Sequence, residues 1–169
     1  MAVVFYGDNN IATLKNAALG VCFGQCTFFA KISKDRACVK TDGSTIQSNG
    51  TAAQSLFVLD TGNYYSSRDR IFKLHGLTAG STTTATQSAV AVATALLASF
   101  AGKIVFIDVT MPEGRHVVAA NLKTAGGLEY FDPNDALYRE TSGTDFSTVL
   151  VNNFTKFNFQ TNVSYYPVS

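Results

Sequence analysis

The stretch "GVCFGQC", residues 20 to 26, is the first part of this 169-residue chain whose residue types and spacing could do chemistry. The pattern predicts a helix that begins near Cys22. A thiolate is the reactive form of cysteine, and the unpaired N–H groups and the dipole at a helix N-terminus stabilise an anion. Cys26 lies one turn deeper on the same face, where the dipole is weaker and the packing tighter. We therefore expect Cys22 to be reactive and Cys26 to be structural.

A nucleophilic cysteine needs a base, and the chain contains only two histidines, His75 and His116. His116 begins the apolar run "HVVAANL" just after a predicted loop, so a strand can hold it rigidly while its side chain faces a cleft. His75, in "KLHGL", has no comparable setting. The sequence therefore favours His116 as the base.

A third residue is needed to orient the imidazole, and Asp132 is the candidate. Residues 116–135 resemble a hairpin whose second strand stops at Asp132, because the proline that follows cannot continue the ladder. A three-residue loop at 124–126 would put Asp132 opposite Val118, diagonal to His116 on the same face. A two-residue glycine turn would put the carboxylate on the other face. The hypothesis therefore depends on the length of the turn.

Acyl transfer also needs donors for the oxyanion that forms on the carbonyl oxygen. The backbone N–H of Cys22 is one such donor. Asn16, six residues upstream, could place a side-chain amide beside it. The sequence thus offers Cys22, His116 and Asp132 as catalytic residues and Asn16 for an oxyanion hole.

Composition limits the class of protein. The length and the 46% hydrophobic content fit one domain spanning residues 1–169. The net charge of +1 comes without a basic run, so neither nucleic acid nor an anionic membrane surface is expected as a partner. The apolar run at 89–101 is shorter than the roughly twenty residues that span a bilayer. The N-terminus also lacks the features of a cleavable signal peptide.

The three cysteines indicate free thiols rather than a disulfide framework. A structural zinc site built on Cys22 and Cys26 would need a second close pair of ligands, and the sequence has none. We therefore expect no metal and no cofactor.

The order of predicted elements indicates an α+β domain, with helices first and an antiparallel sheet later. Its elements are a buried helix from about 22 to 33, a surface loop at 40–54, a strand or helix end at 55–60, a helix at roughly 84–101, strands at 103–109, 116–122 and 127–132, an undecided helix or strand at 146–154 and a final strand in "KFNFQTNVSYY".

Three motifs together resemble a known family: "GVCFGQCTFFAKI", "GRHVVAANL" and "EYFDPND", in the order Cys, His, Asp. They are similar to the YopT/AvrPphB-type bacterial effector proteases, which have the papain fold. The resemblance implies a papain-like cysteine protease with Cys22 as nucleophile, His116 as general base and acid, Asp132 as orienting residue and Asn16 as the oxyanion amide.

The chain departs from the family pattern at two points. It contains no tryptophan, so Phe28 or Phe29 is expected to fill the packing role of the aromatic residue after the nucleophile. Asp135 follows "FDPN", where glycine is usual, which puts the geometry of that loop in question.

The resemblance also implies a bacterial effector or toxin that is injected or secreted without a cleavable signal peptide, acts in the cytosol of a target cell and takes a protein or peptide substrate. The oligomeric state is not indicated. Two alternatives stay open from the residues. The same triad could serve a peptidoglycan amidase, a deamidase or a transglutaminase, or the chain could be a binding module without chemistry.

Overall fold

A computed structural model describes residues 2–6, 22–36, 43–60, 62–111, 114–123, 125–159 and 162–169. These residues form helices and one antiparallel sheet, which confirms the expected α+β class. The helices are α1 (Cys22–Lys34), α2 (Gly43–Leu59), α3 (Tyr64–Leu74), α4 (Ala89–Ser99) and α5 (Gly143–Lys156). The strands are β1 (Ala2–Tyr6), β2 (Thr83–Thr86), β3 (Ile104–Met111), β4 (Gly114–Asn121), β5 (Leu128–Phe131), β6 (Ala136–Glu140) and β7 (Asn162–Val168).

The sheet has the strand order β1-β6-β5-β4-β3-β7-β2, with β3 between β4 and β7. Both faces of β3 are buried, which explains why its sequence is a continuous apolar run rather than an alternating one. Val105, Ile107 and Val109 belong to a hydrophobic core that includes residues of α4 and α5. Ile104 and Phe106 belong to a second core that includes residues of α1 and α3. The sheet therefore separates two cores.

Helix α2 is the main element that the sequence reading missed, because residues 40–54 were expected to form a surface loop. In the structure α2 packs closely on α1. A Cβ atom on Gly24 would lie 2.0 Å from the carbonyl oxygen of Gly50, and one on Gly50 would lie 2.6 Å from the Cα of Gln25. The glycines that suggested a loop instead allow two helix backbones to approach closely, while Ile46 and Ala53 bury the apolar side of α2.

The segment 55–60 is largely the last turns of α2 rather than a strand. The helix expected at 84–101 is shorter than predicted, since 83–86 pairs with β7 as strand β2. Helix α4 begins only after Ser88, whose hydroxyl accepts a hydrogen bond from the Ala91 amide and caps the helix. The strands β1 and β6 were not predicted, and the undecided segment at 146–154 lies within α5.

Among the described residues, no helix combines the length and the apolar character needed to cross a membrane.

Candidate active site

Cys22 is the first residue of α1 and is nearly enclosed, with 4% of its surface exposed. The next residue, Phe23, stacks on Phe72 and packs against Phe57, which fixes the start of the helix against α2 and α3. The side chain of Gln54 in α2 accepts a hydrogen bond from the Gly24 amide at 3.0 Å. The structure thus places a cysteine at an anchored helix N-terminus, as the sequence predicted.

The hairpin that carries His116 and Asp132 has the register that brings the two residues to one face. Ala119 pairs with Phe131 and Ala120 with Tyr130, so the same register continued by one position puts Asp132 opposite Val118. This is the register of the three-residue loop rather than of the two-residue glycine turn.

His116 and Asp132 are joined by a short hydrogen bond in the interior. His116 Nε2 lies 2.7 Å from Asp132 Oδ1, and both residues are buried, with His116 2% exposed and Asp132 0% exposed. The Asn134 amide donates to the same carboxylate oxygen at 2.8 Å. The carboxylate is therefore held by its own turn and fixes the orientation of the imidazole ring.

The His116 imidazole also makes a hydrogen bond with the Cys22 side chain. Because Nε2 faces Asp132, this second bond is left to Nδ1. Burial lowers the pKa of His116, but the hydrogen bonds and charges of Asp132 and Cys22 outweigh burial and raise this pKa to about 10. The arrangement therefore favours a protonated imidazole between sulfur and carboxylate at neutral pH.

Cys26 has a different environment. It is completely buried, and its thiol donates to the Val117 carbonyl oxygen at 3.4 Å. Burial, followed by the nearby charges, raises the pKa of the Cys26 thiol well above its usual value. This thiol stays protonated and ties α1 to β4 beside His116, which fits the structural role expected for it.

The other residues singled out in the sequence lie apart from this cluster or outside the described part of the chain. Asn16 and Cys38 both lie outside the described residues. His75 follows the last residue of α3 and packs edge-on against Phe28, with 5.0 Å between ring centroids. Phe29 stacks on Phe131, with 5.3 Å between ring centroids. Phe28 and Phe29, the two candidates for the aromatic packing role, therefore have different partners.

The sequence analysis did not single out a buried carboxylate on β3, the strand that neighbours β4. Asp108 lies next to Val109, the residue paired with His116. The Tyr64 hydroxyl donates to both Asp108 oxygens at 3.0 Å, and Arg115 approaches one of them at 3.5 Å. Burial raises the pKa of Asp108 to about 6 despite these partners. The signal was present in the sequence as one aspartate inside the apolar strand "KIVFIDV".

The cluster of Cys22, His116 and Asp132 is distinct from a cleft of about 400 Å³ at the opposite end of β3 and β4. Lys34, Lys103 and Lys123 line this cleft. The ammonium group of Lys123 donates to the Ser33 and Lys34 carbonyls at 2.7 Å, so it satisfies the C-terminal end of α1. Within the described part of the chain, no group of three or more potential ligands is arranged to hold a metal ion.

Comparison with solved structures shows that the chain has a papain-like fold. The chain is similar to the avirulence protein AvrPphB of Pseudomonas, with a TM-score of 0.69 over 98% of this chain and 96% of that one, at 14% identity. It is also similar to PatoxP, the cysteine protease-like domain of the PaTox toxin of Photorhabdus asymbiotica, with a TM-score of 0.51 at 15% identity. This second match covers 99% of this chain and 53% of that one.

No protein-family model and no curated protein matches the sequence. The comparison confirms the papain-like fold that the three motifs implied, on a chain whose sequence has diverged widely from both structures.

Proposed function

We propose that this protein is a cysteine endopeptidase, with Cys22 as nucleophile, His116 as general base and acid, and Asp132 as orienting residue. The observation that carries the proposal is the His116 imidazole, which hydrogen-bonds to a buried carboxylate and to a sulfur at a helix N-terminus. In a papain-like fold this geometry suits an activated thiolate.

The reaction follows from these three side chains. The Cys22 thiolate attacks the carbonyl carbon of the peptide bond, and the Cys22 backbone N–H with the Asn16 amide stabilises the oxyanion. The His116 imidazolium donates its proton to the leaving amine, the C–N bond breaks and a thioester remains on Cys22. The now neutral imidazole takes a proton from water, whose oxygen attacks the thioester. The thiolate leaves, the product is released as a carboxylic acid that loses its proton to solvent, and His116 is protonated again.

The natural setting proposed is a bacterial effector or toxin that acts on a protein in the cytosol of a target cell. The support is the description of the two similar structures, one as an avirulence protein and the other as a domain of a toxin. The sequence adds one observation: its net charge is +1 and it has no basic run of the kind that binds nucleic acid, which agrees with a protein substrate.

Selective alkylation tests the activated thiol. Iodoacetamide at mildly acidic pH, followed by peptide mass spectrometry, should modify Cys22 far faster than Cys26 or Cys38, and His116→Ala should remove this advantage. His75→Ala is the matched control and should leave the modification of Cys22 unchanged. Equally slow modification of all three thiols would contradict an activated pair of the Cys22 thiolate and the His116 imidazolium.

Turnover tests the endopeptidase. Incubation with a proteome from a candidate target cell should yield new peptide termini that are missing with Cys22→Ala. Products that carry only a side-chain amide loss or a new isopeptide bond would instead assign the site to a deamidase or a transglutaminase and overturn the proposed reaction.

A further inference from the structure

Beyond the triad, an acidic side chain in the loop after Asp132 anchors that loop to strand β6 and helix α5. This residue, Asp135, directly follows "FDPN" in the sequence. Its carboxylate is mostly buried, with 10% of the side chain exposed. It receives hydrogen bonds from Tyr138 at 2.7 Å, Asn153 at 3.2 Å and Lys156 at 2.6 Å.

These three donors belong to two different elements, which makes the anchor rigid. Tyr138 lies in β6, whereas Asn153 and Lys156 lie in the last turns of α5. Asn153 is itself fixed, because its side-chain oxygen accepts a hydrogen bond from the buried Tyr130 hydroxyl at 2.6 Å. One carboxylate thus connects the loop to β6, to α5 and, through Asn153, to β5.

The same loop holds the Asp132 carboxylate. The Asp135 amide donates to the Asp132 carbonyl at 3.0 Å, and the Asp132 amide donates to the Ala136 carbonyl at 3.0 Å. The Asn134 amide binds Asp132 Oδ1, the oxygen that also faces His116. Asp132 Oδ2 has no hydrogen-bond partner among the described residues, so the orientation of this carboxylate depends on the turn.

We propose that Asp135 is a positioning residue: by fastening the 132–135 turn to α5 and β6, it sets where the Asp132 carboxylate meets His116. The proposal rests on the proposed function, since it concerns the orienting residue of that triad.

The test compares Asp135→Ala with Asp145→Ala. Asp145 lies in the first turn of α5, where it accepts a hydrogen bond from Ser142, and it serves as a control for general loosening of that helix. Asp135→Ala should lower kcat about 10- to 100-fold with KM nearly unchanged, because a small misplacement of a reacting group has effects of this size. Asp145→Ala should retain kcat even where its melting temperature falls.

A second readout does not need turnover. The His116 imidazole should titrate at lower pH in Asp135→Ala than in the unchanged protein, as followed by NMR, because its carboxylate partner is displaced. Should Asp135→Ala not fold, Lys156→Met removes one of the three donors and should move the titration in the same direction by a smaller amount. If kcat and the His116 titration are both unchanged in a folded variant, the proposal is wrong.

The two readouts separate this proposal from the proposed function. A protein without peptidase activity whose His116 titration still responds to Asp135→Ala would contradict the endopeptidase and support the positioning role. An active protease in which Asp135→Ala behaves like Asp145→Ala would contradict the positioning role alone.

Discussion

The protonation of His116 results from opposing influences on one buried ring. Burial favours the neutral imidazole, whereas the carboxylate of Asp132 and the sulfur of Cys22 favour the charged form. The two partners together outweigh burial, so the pKa of His116 rises to about 10. Asp132 contributes the largest of the raising effects, through its hydrogen bond. On the proposed function, the acid that protonates the leaving amine is therefore in place over the whole neutral range.

The alkaline limb of the activity profile should report this group. We expect kcat/KM to fall as pH rises through about 10, because the imidazolium loses the proton that the leaving amine requires. Alkylation of Cys22 should not fall over the same range, since it needs only the thiolate. In Asp132→Asn the limb should move to lower pH, whereas His75→Ala should leave it in place. An unchanged limb in Asp132→Asn would contradict the assigned hydrogen bond.

The same raised pKa affects stability. The folded state holds the His116 proton more tightly than the unfolded chain, so this contribution is fully present below about 6.5, the ordinary value, and is lost as pH rises through about 10.

Truncation of the orienting side chain should separate chemistry from folding. We expect Asp132→Ala to lower kcat by roughly 10²- to 10⁴-fold, as loss of a triad orienter does, while the protein remains folded by circular dichroism. Normal activity in this variant would remove Asp132 from the site.

At the scale of elements, the hairpin from β4 to β5 could be predicted from the sequence, whereas the sequence alone allows two turn lengths and so does not decide its register. Gly126 and Gly127 have φ of 98° and 108°, a conformation that glycine adopts readily, and the register that follows brings Asp132 to the face of His116. Helix α2 could not be predicted in this way. Its first half is polar and contains two glycines, so it has little helical preference, and its packing on α1 is a tertiary effect that the sequence pattern does not show.

The crossing of α1 and α2 gives a prediction for Gly24. Alanine normally favours a helix by about 1 kcal/mol over glycine. At Gly24 the added carbon would meet the Gly50 carbonyl, so we expect Gly24→Ala to destabilise the protein by about 2 kcal/mol or more through overpacking. Urea unfolding measures this, with Ser48→Ala on the exposed side of α2 as the control. A stabilised Gly24→Ala would contradict the close crossing.

At the scale of the whole molecule, the two cores meet the sheet from opposite sides, and the Asp108 carboxylate on β3 is buried in this interior. Its folded-state pKa of about 6 exceeds the ordinary 3.8, so the folded protein binds this proton more tightly than the unfolded chain does. Stability from this group therefore falls as pH rises from about 4 to 6.

Asp108→Asn should remove the loss of folding stability that the buried Asp108 carboxylate causes as pH rises. The free energy of unfolding of the variant relative to the unchanged protein should rise by about 2 to 3 kcal/mol between pH 4 and pH 7, as expected for a shift of roughly two pKa units. Denaturant unfolding at the two pH values measures the difference, with the exposed Asp69→Asn as a control of equal charge change. A difference independent of pH would show that Asp108 titrates normally.

The distribution of the triad along the chain has a consequence for when reactivity arises. The imidazole and its carboxylate are 16 residues apart in one meander of adjacent strands, so they can meet through local folding. The sulfur belongs to a helix far earlier in the sequence and reaches the ring only when that helix docks on the sheet. On the proposed function, a chain that is still unfolded, during synthesis or passage into another cell, carries an ordinary thiol at Cys22. The thiol becomes reactive only when the tertiary structure is complete.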